Sequence, residues 1–566
     1  MPDLVIGGRR SAFPRPWRAG GIAIGLFAVA LLVAWFIYRR SVAYDEPAGD
    51  VHGPITEAQT APGAPVTLTY NGATLEWAGG IAVLRAGGDT HAIGAAHGRL
   101  LAPLLPPVVR AMQPSIEGTV SDEGWSGGLT HKMRLAWQWR FVDDGLTDAD
   151  RRLIAGMTRG AAASGVSVGY DDLVRDQAVV DVGAPARSSG ELEQHRLAHS
   201  LTVIGTQAQA PARVWVGRTF SLSGLADGGD SAVPVVEIIK PDGKIPWASV
   251  GWPGHAGVVT GINAQGIAVF VDPARTGDVR PTRSARPVAL LARSVLEDCK
   301  TLDEATKLIE QTPTLGAAVI VVVDGATGKW LVVERTPGKA IAEKSPKLPV
   351  FGDVLTTNAL AQDPENDRAR RMLASVARID RAAHLVKTPL PDVAAMAAVL
   401  RDRRGSDDAE RPPGHRAMID DGRASHVAIL DPASMELWVS DPRGGGRMRS
   451  FDLRHELRGE GDRASPPADI APEVSDTVPP ASLPAARAEL RAARTALDHG
   501  DTQAAAEACA RARAYVPALP EALELDAQIA QARGDSARAR TLYQLWLDGG
   551  ADDPQGEERA RSALAH

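Results

Sequence analysis

Residues 199–220 read HSLTVIGTQAQAPARVWVGRTF, and the fold turns on this stretch. Two runs in it, Leu201–Ile204 and Val214–Val216, are short, rich in β-branched residues and separated by polar residues and a proline. That is strand character on either side of a connection. Working outward, the same character marks Ile81–Arg85, Val259–Ile262, Gly266–Val271, Ala317–Val323, Trp330–Glu334, His426–Leu430 and Glu436–Ser440. Helical patterns lie between them at Thr90–Leu104, Asp148–Ser164, Arg286–Asp298, Leu302–Gln311, Asn366–Ala383 and Leu390–Asp402. Thr301, with Glu304 three residues on, reads as a capping box opening one of these helices. Ala317–Val323 and Trp330–Glu334 flank Asp324-Gly325, a hairpin signal. Strands paired in this way favour antiparallel sheets with helices packed on them, an α+β architecture, over a doubly wound sheet.

Toward the N-terminus, Gly20–Tyr38 reads GGIAIGLFAVALLVAWFIY, without a charged residue. At about 1.5 Å per residue, a helix of this length suits a bilayer core of about 30 Å. Arg9, Arg10, Arg15 and Arg18 precede the run, and Trp35 and Tyr38 lie at its far end. The positive bias places residues 1–19 in the cytoplasm as a basic tail and the bulk of the chain outside, with 20–38 as a signal anchor. A cleaved signal peptide ending at Ser41-Val42-Ala43 is the competing reading. Arg39 and Arg40 directly after the run favour the anchor. Residues 39–65, rich in Pro, Gly and acids, read as a linker, 66–458 as one large domain, and 459–484 as a second, Pro-rich linker.

Residues 485–566 change character again. Gly500-Asp501 recurs as Gly534-Asp535, and Pro520 recurs as Pro554, both at an offset of 34 residues. Ala505 and Ala539 hold matching small positions. This resembles the tetratricopeptide repeat, whose period is 34. Such a short helical array suits binding a protein partner or docking on the large domain.

The chain carries 62 Lys+Arg against 69 Asp+Glu, a net charge of −7, which gives no reason to expect nucleic acid. Two cysteines, Cys299 and Cys509, cannot build a zinc cluster or a disulfide framework. The sequence contains no HExxH, P-loop or paired CxxC motif. No metal or organic cofactor is expected.

A series of short motifs, in order, carries more. Gly94-Ala95-Ala96-His97-Gly98-Arg99-Leu100-Leu101 comes first, then Ile154-Ala155-Gly156 with Gly160. Ser200-Leu201-Thr202-Val203-Ile204 and Val216-Gly217-Arg218-Thr219-Phe220 follow, then Trp252-Pro253-Gly254 and Gly261-Ile262-Asn263-Ala264-Gln265-Gly266-Ile267-Ala268. Glu304-Ala305, Thr357-Asn358, the arginines of 368–371 and Asp452-Leu453 complete the order. From about Ile81 to Leu453 this resembles the isopenicillin N acyltransferase-like proteins among the N-terminal nucleophile hydrolases. The resemblance implies a four-layer αββα sandwich and a precursor that cuts itself ahead of its nucleophile. By this resemblance the cut would fall between His199 and Ser200, and Ser200 stands where the family usually has Cys. A freed α-amine has an ordinary pKa of about 7.7–8.0, so it can act as the general base for its own side chain. That dispenses with a separate histidine base.

The resemblance also implies site residues. Arg218 matches the motif arginine, while Thr219 and Ser221 replace the Asn and Asp that follow it. Asp272 stands where an oxyanion-hole Asn would follow the strand; an ionised carboxylate there repels a developing oxyanion unless it is protonated or turned away. Asn358 is a candidate oxyanion or substrate donor, and Arg368 and Arg371 are candidates to orient a substrate carboxylate. Asn263 reads as a turn residue and His97 as a helix-packing residue. The expected function is cleavage or transfer of an acyl group from a small linear amide through a Ser200 acyl-enzyme. The alternative is a catalytically degenerate scaffold that recruits a protein through its helical tail.

Overall fold

The computed structural model describes residues 16–59, 66–117, 133, 136–137, 139–182, 199–210, 213–222, 225, 233–274, 284–344, 347–356, 362, 366, 374–442, 446–460, 467–472, 482–552 and 554–565. In chain order the strands are β1 (Thr56–Gln59), β2 (Val66–Tyr70), β3 (Ala73–Ala78), β4 (Ile81–Gly88), β5 (His199–Thr206), β6 (Val214–Ser221), β7 (Val235–Pro241), β8 (Trp247–Gly251) and β9 (Thr260–Asn263). They continue with β10 (Ile267–Ala274), β11 (Ala317–Asp324), β12 (Lys329–Thr336), β13 (Lys339–Lys344), β14 (Val350–Gly352), β15 (His426–Asp431), β16 (Glu436–Ser440) and β17 (Met448–Asp452).

Among the described residues these strands form two sheets. The larger has the order β1-β2-β3-β4-β7-β8-β9-β10-β11-β12-β13, and the smaller β14-β5-β6-β15-β16-β17. Every pairing is antiparallel except β4 with β7, which run parallel from Ala82↔Val235 to Gly88↔Pro241. The expected hairpin across Asp324-Gly325 is β11–β12. Strands β1, β2, β3, β7, β8, β13 and β14 lay outside the sequence-based expectation. The β2–β3 turn carries a hairpin signal, Asn71-Gly72, with φ of 47° and 82°.

The two-residue period of a strand sorts its side chains into layers. In β10, Ile267, Val269 and Val271 join the helices Thr90–Leu100, Asp148–Ala163 and Val288–Asp298 in one core. Ala268, Phe270 and Ala274 of the same strand face the other way and meet Ile204, Val216, Ala428 and Leu430 of the smaller sheet. On the far side, Leu201, Val203, Trp215 and Ile429 pack under the helices Ser375–Leu385 and Val393–Leu400. Three stacked cores therefore separate four layers in the order helix, sheet, sheet, helix.

Two close approaches lock these layers. Helices Thr90–Leu100 and Asp148–Ala163 cross at Gly94, Gly98, Gly156 and Gly160; a Cβ on Gly98 would lie 2.0 Å from the Met157 carbonyl oxygen. Gly217 lets helix Val393–Leu400 down onto β6, where a Cβ would lie 2.6 Å from Met396 Sδ.

Helix boundaries moved for identifiable reasons. The helix expected over Thr90–Leu104 ends at Leu100 and helix resumes as Leu105–Glu117, with Thr90–Leu100 and Ala102–Met112 bent by 71° to each other. Pro103, which lacks an amide hydrogen, lies between them. Asp392 caps Val393–Leu400 by accepting from Ala395 N at 2.8 Å, so that helix begins later than Leu390. Helix Ser375–Leu385 begins later than the expected Asn366, directly after Ala374, whose φ of 51° is left-handed.

The first helix runs Pro16–Val42, and its stretch Gly25–Val42 is long and apolar enough to cross a membrane. At its end, Val42 is buried, as is Tyr44 just beyond, and Tyr44 Oη donates to the Trp139 carbonyl at 2.8 Å. At the other end, the tail is a run of helices, Ser482–Asp498, Thr502–Tyr515, Pro520–Ala532, Ser536–Asp548 and Pro554–Ala565. Gly500 and Gly534 adopt left-handed φ of 76° and 77°. Asp501 and Asp535 cap the helices that follow them. Ala505 and Ala539 are buried between helices.

Candidate active site

Register brings the candidate residues together. Ser200 of β5 pairs with Phe220 of β6, which pairs with His426 of β15. One step inward, Thr202 pairs with Arg218, which pairs with Ala428. Residues directly opposite in a sheet share a face, so Ser200, Thr202, Arg218, Phe220 and His426 all point between the sheets. Asp272, on the inner face of β10, meets them from the larger sheet.

The resulting polar cluster is buried. Ser200 is 2% exposed, and Arg218 and Asp272 are 0% exposed. Thr202 Oγ1 donates to Asp272 Oδ2 at 2.7 Å and accepts from Arg218 Nη1 at 2.7 Å. Arg218 Nη1 also pairs with Asp272 Oδ1, and Nη2 donates to the Val271 carbonyl. The guanidinium lies over the Phe220 ring, 5.1 Å from its centroid. Burial pushes the Asp272 carboxyl up and the Arg218 guanidinium down, and each partner opposes the shift of the other. Ser200 Oγ has no hydrogen bond of normal geometry among the described residues. It lies close enough to Asp272 to help hold that carboxyl down. Asp353, 2% exposed, adds a second negative charge near Arg218 and faces Arg378 at 4.0 Å.

An aromatic shelf closes one side. His426 stacks on Phe220 with centroids 5.3 Å apart, and its Nε2 meets Thr260 Oγ1 at 3.0 Å. Trp252 stacks on Phe220 at 5.9 Å and on His255 at 3.9 Å. Burial holds His426 well below its ordinary pKa, helped by Arg218 and His255, and brings His255 down to about 3. Both rings are therefore neutral near pH 7.

The structure brings Ser200, Arg218 and Asp272 into one cluster. His199 opens β5 opposite Ser221; its side chain, together with Asn358, Arg368 and Arg371, lies outside the described residues. Asn263 uses all its hydrogen-bonding capacity at the β9–β10 turn: Oδ1 accepts from Gln265 N and Ile267 N, and Nδ2 donates to the Leu296 and Cys299 carbonyls. His97 Nε2 accepts from Gly254 N at 2.8 Å, which leaves Nδ1 to donate to Glu237 at 2.8 Å. It ties helix Thr90–Leu100 to β7.

Sequence reasoning missed Thr202, Phe220, His426 and Asp353 as members of this cluster. Thr202 shares the parity of Ser200, and Phe220 that of Arg218, so strand alternation was a signal for both. His426 and Asp353 meet the others through pairings distant in sequence, which nothing local announces.

With this geometry in place, comparison with known proteins adds the following. Residues 236–414 match the family of acyl-coenzyme A:6-aminopenicillanic acid acyl-transferases. The match covers about a third of the chain and includes Asp272 and Asp353. Among solved structures, an N-acylethanolamine-hydrolyzing acid amidase ortholog from Caenorhabditis elegans is 15% identical, with 41% of this chain and 93% of that chain covered and a TM-score of 0.31. Penicillin V acylase from Agrobacterium tumefaciens is 16% identical, with 45% and 86% covered and a TM-score of 0.29. A mutant of conjugated bile acid hydrolase from Clostridium perfringens is 10% identical, with 49% and 99% covered and a TM-score of 0.30. No curated protein sequence is significantly similar to the chain.

Proposed function

We propose that the chain is an N-terminal nucleophile amidohydrolase or acyltransferase that acts on small linear amides through Ser200. The observation that carries this reading is the placement of Ser200. It lies at the start of an inner strand, buried, with Oγ beside Asp272 and no hydrogen bond of normal geometry among the described residues. The family match over residues 236–414 and the four-layer architecture support it.

The chemistry has two stages. In the first, Ser200 Oγ adds to the His199 carbonyl carbon and the C–N bond to Ser200 breaks. The nitrogen takes the hydroxyl proton and becomes an α-amine, and water hydrolyses the ester. In the second, that amine takes the Oγ proton as Oγ attacks a substrate amide, an amine leaves, and water or another amine accepts the acyl group. Arg218 and Asp272 hold β5, β6 and β10 in register around Ser200, and so position it. Asn358 is proposed as an oxyanion donor and Arg368 and Arg371 as substrate-carboxylate partners.

The same reading places residues 20–38 in a membrane as a single-pass anchor, with the domain on the extracytoplasmic side. The tail, a tetratricopeptide-like array, is proposed to bind a protein partner. A second reading, a non-catalytic scaffold, is favoured by one observation: Asp272, which accepts hydrogen bonds when ionised, occupies the position expected for an oxyanion donor. Purified protein separates the two. Two fragments with a new N-terminus at Ser200, and a single uncut chain for Ser200→Ala, are expected. A wild-type chain that stays intact on prolonged incubation, like Ser200→Ala, would instead identify the scaffold.

A further inference from the structure

The domain is not hung from the first helix by a free tether. Val42 and Tyr44, two and four residues beyond Arg40, are already buried. Glu46 pairs with Arg159 at 3.0 Å, and Arg99 Nη2 donates to the Gly53 carbonyl at 2.5 Å. The strap therefore fixes the end of the helix against one face of the domain.

That face continues the aromatic end of the helix. Trp35 stacks on Tyr38 with centroids 5.8 Å apart, and Tyr38 stacks on Trp137 at 6.5 Å. Tyr38 Oη donates to the Met133 carbonyl at 2.7 Å. Trp137 remains 46% exposed, and the Arg140 guanidinium lies 4.1 Å from its ring centroid. Arg39 lies over Trp35 at 6.0 Å. Tryptophan and tyrosine, apolar rings with one polar atom, concentrate at the depth where acyl chains give way to headgroups. Arginine beside them can keep its stem in the apolar side and its charge among phosphates.

We propose that Trp137 and Arg140 form a second membrane contact, a foot that seats the domain on the headgroup layer of a phospholipid bilayer. It rests on the anchor reading given above. The bilayer is assigned as the occupant because the patch is continuous with the span: Trp137 stacks on the residue that ends the apolar run. The foot and the span together fix the tilt of the domain, which a single helix with a flexible linker would leave free.

The test uses the full chain reconstituted in phosphatidylcholine–phosphatidylglycerol vesicles whose acyl chains are brominated near the headgroup, a quencher of tryptophan emission. Trp137→Phe is expected to remove a share of the quenched emission comparable to that removed by Trp35→Phe. If Trp35→Phe lowers the quenched component and Trp137→Phe leaves it unchanged, the foot is overturned and the anchor stands. If neither variant lowers it and the chain washes off the vesicles at alkaline pH, the anchor reading itself fails, and the foot with it.

Discussion

Arg218 and Asp272 illustrate how a buried charge can be tolerated between two sheets. Each would be costly alone between two sheets. Paired, and completed by Thr202 Oγ1 and the Val271 carbonyl, they satisfy one another. Removing one member strands the other, so Arg218→Met is expected to cost about 3–5 kcal/mol, read from denaturant midpoints. A cost near zero would mean that the pair opens to solvent. Asp181 presents a different case at the same scale. It is buried, and accepts from Val288 N at 3.0 Å and Gly316 N at 3.0 Å. Burial nonetheless pushes its carboxyl up to about 7. The folded chain then keeps a proton that the unfolded chain has released between about pH 4 and 7. Stability from this group falls as pH rises across that window and stays low above it. Asp181→Asn, whose Oδ1 can still accept, should lose this slope. Urea midpoints of the two proteins from pH 4 to 8 should diverge, with wild type losing ground as pH rises; parallel curves would refute the assignment.

At the scale of elements, the crossing of Thr90–Leu100 with Asp148–Ala163 depends on absent side chains. Gly98→Ala forces a Cβ to within 2.0 Å of a backbone oxygen, and the helices must part. A loss of about 1–3 kcal/mol is expected. Gly338→Ala, where nothing lies within 4 Å, is the matched control and should be near neutral in the same thermal melts. These glycines also mark what the sequence could and could not reveal. Their four-residue spacing, and the alternation in β5 and β6, were visible in the letters, because both depend on near neighbours. The helix break at Leu101 was signalled by Pro103 and overlooked. The β4–β7 pairing was not legible, since it joins residues some 150 positions apart with a helical layer between them. Asp353 belongs to the same class: its neighbours Arg218 and Arg378 come from other elements.

At the scale of the molecule, the proposed cut at His199–Ser200 falls between two interleaved parts. The N-terminal part supplies β1–β4 to the larger sheet. It is held to the rest by the β4–β7 ladder, by Arg85 with Glu456 at 2.8 Å, by Gly80 N on Asp441 at 2.9 Å and by Asp181 on Val288. After cutting, the two fragments are expected to copurify and to separate only in denaturant; fragments that part on gel filtration in native buffer would contradict this packing. The tail joins the same assembly. Arg487 donates to the Gly422 carbonyl at 2.7 Å and the Asp421 carbonyl at 3.0 Å, Arg423 pairs with Glu521, and Arg416 N donates to Asp552 at 3.2 Å. Asp421 also faces Arg378 at 3.8 Å, so the tail and the surroundings of Asp353 share one buried set of charges.

The parallel sense of β4 and β7 has a mechanical meaning. In a cut chain held by its N-terminal helix and drawn from its C-terminal side, tension enters β4 at its first residue and leaves β7 at its last. The two strands run the same way over seven residue pairs, so the load lies along the ladder. Its hydrogen bonds then share the force in shear, whereas an antiparallel pair at that position would unzip one bond at a time. A protein severed at one peptide bond would in this way keep its grip on its anchor through the geometry of two strands.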